Sequence, residues 1–503
     1  MTSDVVLGID LGTSSVRATL IGPDGCPIAT ATREYPVDSP HPGWSEQHPD
    51  TWWQSTCSAV SAALAAADGP EVCAINFSGQ MHGTVLCNAN DEPIRPAIIW
   101  SDQRSSREVT AFRSVLEPGR LAELTANPLA AGFQLATLLW LRGNEPESLD
   151  AARHVFLPKD WLRFRMTGVA ATDPSDACST LMFDTANRSW SETVIEASGI
   201  DGEKLPRVAE SFELSGTLLP TAAHELGLRE GVPVFVGAGD TPATAFGNGV
   251  VDPGTVQCTI GSGGQLIAPL GTPKYDAELR THTFCHVPRD RWYAMAAILS
   301  AGLSLRWLRG CMFGTDAPSY AELSAMAKSV PVGSEGIFFL PYLTGERTPH
   351  LDANACGVFF GLTPRHTRAH LIRAVMEGVV FALDEGLDVL RNLGVQPTRI
   401  IAAGGGARSD LWRQIQADVF GVPVERAPLD EAAAYGAALI AGIGIGWWTG
   451  RDDVPATGNA TSHVLTPDET RREQYAELKT LYRQLYPNLR ELMAERARIA
   501  KNP

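Results

Sequence analysis

Aspartate 240, in the string FVGAGDTPATAFGNG, follows an apolar run (Val234, Phe235, Val236) and a glycine-rich turn. A strand ending in such a turn can hold a carboxylate at the mouth of a cleft where backbone comes close to phosphate. A second acidic turn opens the chain in VVLGIDLGTSSVRATL, where Asp10 closes a strand and Gly12, Thr13 and Ser14 follow. A carboxylate beside exposed amides and hydroxyls suits phosphate and its Mg²⁺. Two further turns, QCTIGSGGQLI and IIAAGGGARSD, supply Gly261, Ser262, Gly263 and Gly264, then Gly404, Gly405 and Gly406. Missing side chains let the first reach an anion with backbone amides and the second pass under a flat adenine–ribose unit. These four strand-then-glycine turns predict a composite phosphate site assembled from two halves of the chain. None of them reads GxxxxGK(S/T) or a strand-borne GxGxxG, so neither a P-loop nor a Rossmann corner is expected.

The elements that must carry these turns are those of an α/β protein. VVLGIDL, VRATLIG and PIATATREYPV read as a three-stranded meander. TVQCTIG, GGQLIAPLG, LRTHTFCHV and RWYAMAAIL restart the pattern, which places a boundary near residue 247: a first domain over 1–246 and a second over 247–503. Between the meanders, Asp50 to Ala67 has a helical stripe and VCAINFSGQM runs from strand into loop. Thr367 to His370 open a helix that stops at Gly394. RIIAAGG leads into a helix that Ser409 or Asp410 can cap. In TPDE, Thr466 is the expected cap of the last helix, with Pro467 in its first turn and Glu469 completing a capping box. Its stripe of Tyr475, Leu478, Tyr482 and Leu485 is expected to pack on the body, and 450–465 reads as a surface loop.

With 503 residues the chain is too long for one core, and a formal charge of -16 argues against nucleic-acid or anionic-membrane partners. Nine scattered cysteines without a CxxC pair fit reduced thiols in the cytoplasm. The start MTSDVVLGID carries no signal-peptide pattern, and no uncharged apolar stretch is long enough to span a bilayer. A homodimer stays open.

The turns resemble those of the actin-like ATPase superfamily, and PGWSEQHPDTWW, FSGQMHGTVL, RPAIIWSDQR, LPKDWLRFRMTG, FLPYLTGERTPHLD and GVFFGLTPRHT extend the likeness through nearly the whole chain. More narrowly, the sequence resembles the FGGY carbohydrate kinases, with SGQMHG and LPYLTGERTPH pointing to members that phosphorylate D-xylulose. The resemblance implies two ribonuclease-H-like domains around a central cleft and ATP-dependent phosphorylation of a ketopentose with Mg²⁺. It implies that Asp240 is the general base and that Asp10 helps place Mg²⁺, with Asp240 beside the metal. Gln80, Met81, His82, Asp240 and Thr241 match the sugar site. Gly12, Thr13, Ser14 and Arg17 match the first phosphate turn, Gly261 to Gly264 the second, and Gly404, Gly405, Gly406, Ala407 and Ser409 the adenosine turn. Because phosphoryl transfer passes through a loose transition state, the proton can leave late and Asp240 needs no raised pKa.

Thr241 stands where these kinases usually carry asparagine, which leaves ribulose, a deoxyketose or a polyol open as the sugar. An actin-like assembly module that hydrolyses ATP without a sugar acceptor is the alternative from another class. The second phosphate turn reads GSGG for the more usual GTSG, and Ala136-Thr137 replace a Pro-Lys pair whose lysine reads as structural. His282, Cys285 and His286 have zinc-ligand chemistry, but in an extended run His282 and Cys285 face opposite sides. Trp44, Trp100 and Asp102 could line the sugar pocket, with turn or core packing the expected role of the tryptophans. Glu346 and Arg347 are expected to form an ion pair that braces the cleft.

Overall fold

The computed structural model describes residues 4–429, 432–455 and 463–500. Strands β1 (Asp4–Leu11), β2 (Ser15–Ile21) and β3 (Pro27–Glu34) form the expected antiparallel meander. Helix α1 (Pro49–Ala66) packs on β2 and β3. β4 (Glu71–Gly79) then lies parallel to β1, with Asp10 level with Ser78. Helix α2 (Pro158–Thr167) follows, and β5 (Leu214–Thr217), β6 (Pro233–Phe235) and β7 (Ala238–Gly239) complete a seven-stranded sheet. Its order is β5-β6-β4-β1-β2-β3, with β7 paired to the end of β4.

After α3 (Asp240–Gly247), the second half builds the same arrangement. β8 (Thr255–Ile260) and β9 (Gly264–Leu270) are antiparallel, β10 (His282–Cys285) lies at the edge, and β11 (Trp292–Ile298) pairs with β9. Helix α4 (Arg368–Asn392) covers this sheet, and β12 (Arg399–Ala403) runs parallel to β8 as β4 does to β1. α5 (Asp410–Phe420) and β13 (Val424–Arg426) close a six-stranded sheet of order β10-β11-β9-β8-β12-β13.

Helix α6 (Ala433–Gly444), although late in the chain, packs on β1, β4 and α3 of the first half. It is apolar all round, as befits a helix covered on every side, and so presents no amphipathic stripe. Small residues set the approach: a Cβ at Gly8 would collide with the Ala434 carbonyl, and one at Gly436 with the Ala243 carbonyl. β1 is therefore covered on both faces, which explains its run of apolar residues in place of alternation.

The last helix, α7 (Glu469–Ala500), starts later than expected. Its cap is Asp468, whose Oδ1 accepts the Arg471 amide at 3.0 Å, and not Thr466. The Thr466 carbonyl is taken by Gln414 at 2.9 Å and the Asp468 amide by Asp418 at 2.8 Å, so tertiary bonds to α5 fix the start. Tyr475, Tyr482 and Leu485 are buried as expected. Of the loop expected over 450–465, residues 456–462 lie outside the described residues, while Leu465 pairs with Val424. Among the described residues no helix is long and apolar enough to cross a membrane.

Gly436→Ala should force α6 away from α3 and cost about 1–3 kcal/mol, as overpacking does. Thermal unfolding measures it, and an unchanged midpoint would show that this contact carries no weight.

Candidate active site

β1, β4 and β7 are parallel neighbours, and near their carboxyl ends Asp10, Ser78 and Ala238 lie level, one residue before Leu11, Gly79 and Gly239. Asp240 is the first residue of α3, directly after β7. This is the edge of an α/β sheet where ligands collect. Ser78 Oγ donates to Asp10 Oδ1 at 2.7 Å. The Thr241 amide and hydroxyl both donate to Asp240 Oδ1, at 2.6 and 3.2 Å. Each carboxylate keeps Oδ2 without a hydrogen-bond partner among the described residues. Burial raises the Asp10 pKa, opposed by the Ser78 bond and by the Arg17 charge across the β1–β2 ladder. Burial, then the nearby Asp10 charge, push Asp240 up to about 7, against the pull of the Thr241 bonds. Two carboxylates sharing a sheltered cleft cannot both ionise freely, so Asp240 is a stronger base than a loose transition state requires.

The first turn is rigidly held. The Gly12 amide donates to the Ser15 carbonyl at 2.9 Å, Gln47 Nε2 to the Thr13 carbonyl at 2.7 Å, and Trp100 Nε1 to Thr13 Oγ1 at 2.9 Å. The amides of Thr13 and Ser14 donate to no group among the described residues, which leaves them available to an anion. Arg17 sits on β2, outside the turn, with Nε on Thr32 Oγ1 at 3.1 Å. Gln80, expected at the sugar, is buried and donates to Gln47 Oε1 at 3.0 Å; it braces the Thr13 turn from behind.

In the second half, the Gly261–Gly264 turn joins β8 to β9 and also leaves the Ser262 and Gly263 amides without a partner among the described residues. Its carbonyls anchor the following helix: Ser262 accepts from Ala301 at 2.9 Å and Leu303 at 3.0 Å. The triple-glycine turn lies alongside, because β12 is parallel to β8 with Ala403 level with Thr259. Gly404 has φ +74° and Gly406 presses on Ile260, whereas a Cβ at Gly405 would meet nothing within 4 Å, so Gly405 is the open face. Ala407 is buried. Ser409 Oγ caps α5 through the Trp412 amide at 3.2 Å and bonds Ser324 Oγ at 2.9 Å, a use within the protein.

Beyond Asp240, Met81 packs against Gly239, and His82 adopts φ +70°. The His82 amide reaches Ser179 Oγ at 3.2 Å and its Nδ1 the Ser179 carbonyl at 2.9 Å. Its ring lies 4.3 Å from Phe133 and 6.1 Å from Phe284, centroid to centroid, and His282 lies 6.0 Å from Phe133. Asp102 and Trp44 both meet Arg104. Asp102 binds Arg104 at 2.8 Å, and Arg104 lies 3.6 Å over the Trp44 ring. Glu346 is held by the backbone amides of Leu299 at 2.9 Å and Arg347 at 2.7 Å, and no side-chain ion pair with Arg347 exists among the described residues. Burial pushes Glu346 up to about 8. His282, Cys285 and His286 have separate partners in Asn127, Thr185 and Val250, so the zinc alternative finds no shared centre.

A charged cluster beneath the site was hidden in the sequence. Lys159 Nζ lies 2.6 Å from Asp160, 2.9 Å from Asp173 and 3.4 Å from Asp176, and Arg163 lies 2.9 Å from Asp160, all fully buried. Burial pulls Lys159 down, but the three aspartates more than offset it and its pKa is raised. Burial pushes the Asp176 pKa well above the usual carboxylate range, against the pull of the Lys159 charge. The cluster reaches both ends of the site. Asp173 holds Ser175, whose Oγ accepts the Gly239 amide at 3.1 Å; Arg163 donates to the Val236 carbonyl at 2.6 Å; Ser179 links Asp176 to His82. LPKDW and the acidic DPSDA were the available signals, but only the fold brings them together.

Comparison with known proteins agrees with this arrangement. The N-terminal domain of the FGGY family of carbohydrate kinases matches residues 5–247, and the C-terminal domain residues 256–445. The chain is 39% identical over 490 residues to the xylulose kinase of Escherichia coli (strain K12), covering 97% of this chain and 100% of that one. It is 33% identical over 499 residues to the xylulose kinase of Bacillus subtilis (strain 168), covering 99% of each. A crystal structure of a xylulose kinase from Brucella ovis superposes with a TM-score of 0.91 at 36% identity, covering 97% of this chain and 100% of that chain.

Lys159→Met would leave the aspartates without their shared cation and should cost about 3–5 kcal/mol. Thermal unfolding checks it; a loss below about 1 kcal/mol would mean that the cluster relaxes without its lysine.

Proposed function

Since the chain belongs to the FGGY family of carbohydrate kinases, we propose that it transfers the terminal phosphate of ATP to D-xylulose, forming D-xylulose 5-phosphate. The observation that carries the chemistry is that Asp240 feels the Asp10 charge while Met81 packs against Gly239, the residue before it. The choice of sugar follows the full-length likeness to xylulose kinases.

In this reading the sugar lies against Met81 and His82 with its terminal hydroxyl toward Asp240 Oδ2. The hydroxyl oxygen attacks the terminal phosphorus in line, the bond from phosphorus to the bridging oxygen breaks, and ADP leaves with that electron pair. The hydroxyl proton passes to Asp240, whose high pKa makes it a better acceptor than an ordinary aspartate. Thr241 holds the other carboxylate oxygen, aiming the base; it contributes no amide to the sugar, which is why a panel of sugars is the right test. The Thr13, Ser14, Ser262 and Gly263 amides receive phosphate oxygens, and the open face at Gly405 receives the adenosine.

The donor set fits Mg²⁺, an ion that takes one or two carboxylates and keeps waters and phosphate oxygens as its other ligands. Asp10, with Oδ2 unpartnered among the described residues, would hold it, with Asp240 nearby. When bound with ATP the ion neutralises phosphate charge. A cytoplasmic setting goes with ATP and a small free sugar as the substrates in this reading.

ADP release measured against ketopentoses and polyols tests the function. D-xylulose should stimulate it most, and Asp240→Asn should lower kcat by roughly 10²–10⁴-fold, the range for losing a general base. Near-normal turnover in that variant, or ATP hydrolysis indifferent to every sugar, would refute the mechanism. In metal-free enzyme the raised Asp240 pKa also sets a stability trend. Its folded value of about 7 exceeds the ordinary 3.8, so its contribution is whole below about pH 4 and is lost as pH rises to about 7. Asp240→Asn should therefore gain stability relative to the parent across that window, read as melting temperature against pH; a constant difference would contradict the shift.

A further inference from the structure

We propose that His282, carried on the edge strand of the second half, is a second sugar-binding imidazole: with His82 it presents Nε2 as a hydrogen-bond acceptor to hydroxyls of the sugar away from the reacting end. This deepens, and rests on, the reading of the cleft as a ketopentose site.

The tautomers follow from the partners. His82 Nδ1 faces the Ser179 carbonyl at 2.9 Å, and a carbonyl can only accept, so Nδ1 carries the proton. His282 Nδ1 faces Asn127 Oδ1 at 3.0 Å. The orientation of that amide is fixed, because Asn127 Nδ2 donates to the carbonyls of Thr125 at 2.8 Å and Thr283 at 2.7 Å. Its Oδ1 also accepts the Thr283 amide at 3.2 Å, so His282 Nδ1 must likewise donate. Burial, above all, lowers the pKa of both rings, His82 to about 4 and His282 to about 3, so each holds a single proton and it sits on Nδ1. Both Nε2 atoms are left as lone-pair acceptors with no hydrogen-bond partner among the described residues.

The surroundings fit a sugar. Both rings are only partly buried, and both feel the positive charge of Arg347. Phe133 and Phe284 lie within about one ring's reach of each imidazole, with centroids 4.3 to 6.1 Å apart, offering apolar faces to the C–H surfaces of a sugar. β10 and its partner β11 are locked to the first half, since Asn127 Nδ2 donates to the Thr283 carbonyl and Trp292 Nε1 donates to the Thr185 carbonyl at 2.7 Å. His282 and Phe284 are therefore fixed contributions from the second half to a pocket to which the first half gives His82 and Phe133. A sugar bonded to both rings would bridge the halves, coupling sugar occupancy to closure.

The discriminating pair is His282→Asn and His282→Gln. An asparagine amide falls near the Nδ1 position and can keep the Asn127 bond while removing the distal acceptor. A glutamine amide places an oxygen near Nε2 and gives up the Asn127 bond. The asparagine variant should raise KM for D-xylulose roughly 10-fold or more, with KM for ATP unchanged, and the glutamine variant should recover much of that loss. The reverse order, or wild-type KM in both, would overturn the proposal and leave His282 an anchor for Asn127. Independent of variant folding, wild-type enzyme with ¹⁵N-labelled histidine should show the bare-nitrogen signals of two imidazoles moving as D-xylulose is added; movement of one alone would also overturn it. Absence of sugar-dependent ADP release from the wild type would instead defeat the underlying function, and this inference with it.

Discussion

Two carboxylates, Asp10 and Asp240, are forced into the same sheltered cleft by the parallel register of three strands, and the rest of the structure answers to that constraint. Left alone, such a pair is costly, because each charge raises the free energy of the other and burial penalises both. The site relieves the cost in two ways: one oxygen of each carboxylate is satisfied, by Ser78 and by Thr241, and the second oxygen of each is left to a ligand. A cation and a proton-bearing hydroxyl are the ligands that such an arrangement favours. Burial first, and then that repulsion, make Asp240 a stronger base.

Holding that pair in register takes contacts from the whole chain. α6 crosses from the second half to cover β1 and α3, with glycines allowing backbone to touch backbone. The Lys159 cluster fixes the chain on either side of Asp240, and its near balance of charge lets it be buried at all. Gln47 and Gln80 hold the first phosphate turn from behind. The two sheets repeat one plan, so each supplies a hairpin turn whose amides have no partner among the described residues, and the proposed function sets nucleotide and sugar between these two copies of one device.

The parts legible in the sequence are those with local causes. Each meander announces itself by apolar runs broken at glycine, and α4 by its stripe and its stop at Gly394. The candidate turns could be named because glycine there answers to a backbone requirement that shows in the string itself. What escaped has partners far along the chain. Gln80 reads like its neighbours Met81 and His82 but turns inward to a residue 33 positions away. Strand alternation already spoke against His282 as a metal ligand, but its tautomer is fixed by Asn127, 155 positions away, which no local pattern shows. The Asp468 cap was decided by Asp418, 50 positions away.

The most direct test is a crystal structure with ADP, Mg²⁺ and D-xylulose bound together. The expected result places the terminal hydroxyl of the sugar within about 2.6–3.2 Å of Asp240 Oδ2, with the metal on the Asp10 side. A sugar whose terminal hydroxyl lies away from Asp240, or a metal held far from Asp10, would contradict the division of labour between the two carboxylates.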